Sequence, residues 1–106
     1  MNYVKYDYYH RKVVILFILD YFLDTYFTMK DIECHPKYNN LKEKLFGMDI
    51  SLRLDELYVE GIMDIDKNHE WWIYKMVKNF SDEEINKMRS DVMYYYLYNQ
   101  NGNNIS

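Results

Sequence analysis

"SLRLDELYVEGIMDID", residues 51–66, runs directly into "KNHEWWIYKMV", residues 67–77. The first half has helical spacing. Ile50, Leu54, Leu57 and Tyr58 recur at i, i+4, i+7 and i+8, which predicts one buried stripe on a helix over 50–60. Asp49 precedes that helix as a cap. Gly61 follows where helices close on a left-handed residue. The spacing then switches to two: Ile62, Asp64 and Asp66 point one way, Met63 and Ile65 the other. "DKNH" predicts a polar turn. "EWWIYKMV", residues 70–77, returns as a second strand rich in aromatic and β-branched residues. Together the two strands predict a hairpin. Trp71 and Trp72 fall on opposite faces of that second strand. One ring is expected in the core; the other packs under a neighbouring helix or stands exposed as an anchor for a partner.

Working outward, residues 8–25 predict a first helix. Val13, Val14, Leu16, Phe17, Tyr21 and Leu23 make it apolar on nearly every side, with Asp20 and Asp24 at its wet edge. Such a helix is central to the core or shared with a partner. Thr28 caps a short helix, "MKDIEC", residues 29–34, which Pro36 ends. "NNLKEKLF", residues 39–46, predicts another short helix with Leu41 and Leu45 on one face, broken by Gly47. Ser81 opens the last helix, 81–99, through the capping box "SDEE" with Glu84 at its third position. Ile85, Met88, Val92, Tyr95 and Tyr96 share one stripe of it. The polar stretch 100–106 is expected to be a flexible tail. The fold class is mainly α with a small β-hairpin (α+β), in a single domain over 1–100.

Composition bounds the rest. An apolar share of 49% is too high for a disordered chain. The one cysteine, Cys34, has no internal disulfide partner, as a reducing cytoplasm expects. The longest apolar run, 13–23, is interrupted by Asp20 and falls short of the ~20 residues a membrane span needs. The aromatic N-terminal flank carrying Asp7 does not read as a signal peptide. A cytoplasmic protein without a membrane partner is expected. His10, His35 and His69 are far apart, Cys34-His35 lacks a second ligand pair, and no phosphate loop or nucleophile elbow occurs. Neither metal nor cofactor nor catalytic activity is expected. The net charge of −4 counts against a nucleic-acid partner, whose phosphates favour a basic surplus.

"FTMKDI", "ISLRLDELYVEGIMDID" and "EWWIYKMV" together resemble a winged helix-turn-helix domain. Leu54 and Leu57 stand as the core leucines, Gly61 as the helix stop and Ile62 as the first wing residue. The apolar first helix and the helix after the wing give a layout similar to PadR-type regulators and to the bacterial replication terminator protein. The resemblance implies a DNA-binding transcriptional regulator. Ser51 and Arg53 would then meet base edges in the major groove. Lys67, Asn68 and His69 at the wing tip would contact the backbone, and Lys30, Lys42 and Lys44 would add phosphate contacts. Residues 28–60 would form the helix-turn-helix region, with either short helix as its second helix, and 62–77 the wing. It also implies a homodimer through the first and last helices, with Ile85, Met88, Val92, Tyr95 and Tyr96 at the seam. The "YYYLY" run, residues 94–98, cannot all be buried in one chain of this size: its tyrosines are half-exposed, which Tyr tolerates, or line the same dimer seam, toward which Tyr3, Tyr6, Tyr8 and Tyr9 also point.

Two departures favour an alternative. Residues 49–60 carry Asp49, Asp55, Glu56 and Glu60 against Arg53 alone, a net charge of −3 on the element meant to approach a polyanion. The segment "HPKYNNLKEKLFGMD" is also longer than the usual tight turn. The alternative is an acidic winged-helix protein-interaction module, such as a viral antagonist or an assembly subunit, that binds a protein instead of DNA. A continuous basic stripe through Lys30, Lys42 and Lys44 distinguishes the first reading; an acidic third-helix face distinguishes the second.

Overall fold

Five helices and one antiparallel hairpin make up the described residues, seen here in a computed structural model that describes the backbone of residues 2–105 and the side chains of residues 9–98. The helices are α1 (Asn2–Tyr21), α2 (Met29–Glu33), α3 (Tyr38–Lys44), α4 (Ile50–Val59) and α5 (Asp82–Ile105). The strands are β1 (Met63–Asp66) and β2 (Ile73–Met76). The expected α+β class is therefore the observed one. No helix among the described residues is long and apolar enough to cross a membrane.

The α1 helix starts earlier than its apolar spacing suggests and ends earlier too, at Tyr21 instead of residue 25. Asp24, at φ 56°, turns the chain out of the helix. The burial of Val13 to Ile18 explains why apolar residues occur on all sides: α1 is the central rod, with α3, α4 and α5 packed around it. The expected tail also differs, because the α5 backbone stays helical to Ile105.

Both short helices form, so neither replaces the other. Thr28 caps α2 through a capping box with Asp31, as expected, but α2 buries only Ile32. It is α3, burying Leu41, that packs on α1, with Leu45 just beyond it fully buried. Left-handed Phe46 and Gly47, at φ 52° and 82°, reverse the chain from α3 toward α4. Asp49 accepts from the Ser51 backbone N–H at 2.8 Å and opens α4.

The chain turns back at Gly61. Its φ of +79° is the left-handed geometry that glycine adopts without a Cβ penalty. The Ile62 N–H donates to the Leu57 carbonyl at 2.9 Å, and the Gly61 N–H to that of Tyr58 at 3.0 Å. That pair of bonds is a Schellman closure, satisfying carbonyls the helix end would leave orphaned. It delivers β1 beside α4. Met63 pairs with Met76 and Ile65 with Tyr74, so that one face of the hairpin lies on the core.

A third backbone position joins the hairpin. Phe27 and Tyr74 exchange two hydrogen bonds, at 3.0 and 2.8 Å, along the outer edge of β2. Their rings stack with centroids 5.6 Å apart. A single bridging residue has no period for the sequence to show. It ties the segment before α2 to the hairpin and fixes where the helices stand relative to it.

Candidate interaction surface

The outward face of α4 is built by what the inward face consumes. Ile50, Leu54 and Leu57 are buried as the spacing predicts. Arg53 is buried with them, at 8% exposure, which corrects its placement at a base edge. Its Nε lies 2.8 Å from Glu56 Oε1, an ionic contact without an aligned hydrogen bond. The signal for this was in the sequence: Arg53 is three after Ile50 and four before Leu57, which places it on the buried stripe. A long side chain can lie along apolar surface with its charge met at the edge.

What α4 leaves outside is apolar at its centre. Val59 is 82% exposed and Leu52 53% exposed, seven residues apart on one line. Asp55 and Glu56 lie between them, and Glu60 follows at the helix end. The Arg11 guanidinium of α1 pairs with Glu60. Around this stretch lies a shallow cleft of about 360 Å³, lined by those carboxylates, by Leu52 and Val59 and by the two arginines.

Ser51 does not reach outward either. Its hydroxyl donates to Asp49 Oδ1 at 2.8 Å. This hydroxyl, with the backbone N–H groups of Ser51 and Leu52, holds the Asp49 carboxyl below its ordinary pKa. The first turn of α4 therefore presents an anion already committed to capping.

The lysines expected on phosphate do not make one stripe. Lys30 is exposed on α2. Lys42 lies 4.9 Å over the Tyr38 ring, in a cleft shared with Glu33, Asp49 and Ser51. Lys44 faces another side of α3, toward α1 and α5.

At the hairpin end, residues 67–72 form the connection, because β2 begins only at Ile73. This corrects both the four-residue turn and the placement of the tryptophans. Trp71 and Trp72 lie outside the strand, and both are exposed, at 48% and 41%. Lys67 sits 4.5 Å over the Trp72 ring. The Asn68 backbone N–H donates to Asp66 at 3.0 Å, and His69 Nε2 lies 3.2 Å from the same carboxylate. The Asn68 N–H, ahead of the His69 charge, lowers the Asp66 pKa. Lys67, Asn68 and His69 are thus exposed together, but Asp66 stands among them and Lys67 is already over a ring.

The stripe expected at a dimer seam is turned inward. Met88 and Val92 are buried in their own chain's core, and Ile85, Tyr95 and Tyr96 are half-buried against it. They pack toward α1, with which α5 makes its closest approach. Tyr9 is likewise buried, its hydroxyl donating to the Lys44 carbonyl at 2.7 Å. The side chains of Tyr3, Tyr6 and Tyr8 lie outside the described residues. Among the described residues, no three histidine, cysteine or carboxylate side chains come together as a metal would need. Comparison with protein-family models, with curated proteins and with solved structures finds no match for this chain.

Proposed function

We propose that the chain is a winged-helix protein-interaction module whose α4 face receives a basic, amphipathic segment of a partner protein. One observation carries this: Arg53, the only cation of α4, is buried against Glu56, so the outward face is Leu52 and Val59 framed by Asp55, by Glu56 and by Glu60, the last paired with Arg11 of α1. A duplex approaching that face meets carboxylates, and no free cation there displaces the counter-ions condensed on its phosphates, which removes the main source of affinity. A helix carrying lysines or arginines beside apolar anchors meets the opposite situation. Its anchors bury Leu52 and Val59, at roughly 25 cal/mol per Å² of apolar surface, and its cations lie along the carboxylate frame.

One observation favours a homodimeric DNA-binding regulator instead: Lys67, Asn68 and His69 stand in solvent at the end of a hairpin beside a helix. The two readings separate on salt. At roughly 50 mM salt and micromolar protein, random duplex DNA is expected to show no saturable binding. A model peptide of lysine and leucine with helical spacing is expected to bind. Leu52→Ser with Val59→Ser, which leaves the charge unchanged, is expected to weaken that binding by about tenfold or more. DNA binding that falls steeply with salt and is lost in Lys67→Ala would overturn the proposal.

A further inference from the structure

On the α1 side remote from α4's outward face, three helices enclose a trough of about 440 Å³. Each contributes residues at helical spacing. The floor is α1, through Leu16 and Phe17. One wall is α3, through Leu41, with Lys37 and Lys44 on its rim. The other is α5, through Val92, Met93 and Leu97. Met93 and Leu97 are exposed, so an apolar wall faces solvent with none of the described side chains over it.

Both ends are closed by polar contacts. At one end Arg89 makes a double hydrogen bond to Asp20, at 2.6 and 3.2 Å. At the other, the Tyr96 hydroxyl donates to Glu43 Oε1 at 2.8 Å, and the Tyr96 ring stacks on Phe46. Arg89 and Tyr96 are seven residues apart, so the trough is about 10 Å long at 1.5 Å per helical residue.

The charges on this rim are unequally spent. Asp20 is paired with Arg89, whereas Glu43 accepts from the neutral Tyr96 hydroxyl and keeps its negative charge at that end. Lys37 and Lys44 have no carboxylate within ion-pairing distance among the described residues. Two uncompensated ammonium groups therefore overlook a short apolar floor. The two lysines are spread along the α3 rim, one toward each end, and a site of this size, apolar with few polar groups at its edge, suits a small molecule.

We propose that the trough binds an amphipathic organic anion, one monomeric molecule per chain. Its apolar body lies on Leu16 and Phe17 between Leu41 and Leu97. Its carboxylate, or an equivalent oxyanion, lies at the α3 rim against Lys37 or Lys44. The closed ends and the short floor suit a free chain better than a lipid still anchored in a bilayer. The site stands apart from the α4 surface and does not depend on what α4 binds.

Isothermal titration of the full chain with octanoate, octanol and octylammonium tests this. Octanoate is expected to bind one per chain, with octylammonium at least about tenfold weaker and octanol between them. Hexanoate is expected to bind about tenfold more weakly than octanoate, from two fewer buried methylenes, and decanoate, longer than the closed floor, no more tightly than octanoate. Lys37→Glu with Lys44→Glu is expected to cost octanoate about tenfold or more and to favour octylammonium. Both side chains are exposed, so folding is expected to survive; Lys37→Gln with Lys44→Gln supplies the same test without charge reversal. Equal binding of both head groups, unchanged octanoate binding in these variants, or no octanoate binding at all would overturn the proposal. So would association with anionic phospholipid vesicles in the absence of any monomer binding.

Discussion

The α4 face and the α1–α3–α5 trough are both apolar at the centre and charged at the edge, yet they are opposite in sign and in cost. On α4, Leu52 and Val59 support nothing beneath them, and the frame is acidic. In the trough, Leu16, Phe17, Leu41 and Val92 belong to the core, and the rim is basic. A net charge of −4 therefore says little about either surface, because the charges are sorted between them. The difference also predicts how each region responds to mutation: the trough floor is bound to stability, and the α4 face is free of it.

The largest effect tests that separation. Leu41→Ala, at a residue only 3% exposed, is expected to cost about 2–5 kcal/mol in urea unfolding, through lost transfer energy and the cavity left behind. Val59→Ala on α4 is expected to change stability by less than about 0.5 kcal/mol. Comparable losses at the two sites would mean that α4's outward residues pack on something, and would break the comparison.

Next comes Glu56→Gln. It removes the charge facing the buried Arg53 guanidinium while keeping the side chain's shape. Breaking a buried pair costs about 3–5 kcal/mol. Glu56 is itself 38% exposed, so water can replace part of the lost contact and about 1–2 kcal/mol is expected. If Glu56→Gln leaves the urea midpoint unchanged, Arg53 is free to swing outward, and the acidic character of the α4 face is weaker than drawn.

How much of this was legible in the sequence depends on whether a signal was periodic. The stripe of Ile50, Leu54 and Leu57, the Asp49 and Thr28 caps and the Gly61 stop were all readable, because each reports local backbone geometry. The inward turn of Arg53 was readable from the same spacing but hidden by its charge, which argues for solvent until a partner such as Glu56 is seen. Trp71 and Trp72 resemble strand residues in composition, yet the strand pairing ends at Asp66 and Ile73 and leaves both in the connection. The Phe27–Tyr74 bridge and the trough are products of packing between distant segments, which no local pattern encodes. The C-terminal stripe was read correctly as apolar; which surface would cover it was a tertiary question, and α1 is the answer.

Gly61→Ala carries a smaller cost and tests the joint that sets α4 beside the hairpin. A Cβ at Gly61 would meet nothing within 4 Å, so the penalty is backbone strain alone at φ +79°. About 1 kcal/mol is expected in the unfolding midpoint, with the hairpin retained. A much larger loss would mean that the Schellman closure nucleates the hairpin as well as ending α4.

The smallest effect is the acid limb of stability, and its sign follows from direction alone. Lys12, donating to Asp91 at 2.8 Å, lowers the Asp91 pKa below its ordinary 3.8; Ser51 does the same for Asp49. A carboxylate whose folded pKa is depressed contributes stability that is present above the unfolded value and is lost as pH falls through the folded one. These two carboxylates should therefore make thermal melts decline below about pH 4. The Lys12–Asp91 pair joins α1 to α5, the floor of the trough to its wall, whereas Asp49 serves only α4. Lys12→Met should accordingly remove more of the acid decline than Ser51→Ala, by a margin below about 1 kcal/mol. The reverse ranking would place the more strongly held carboxylate on the α4 face, and the trough would lose its claim to be the part of the molecule where surface and stability are joined.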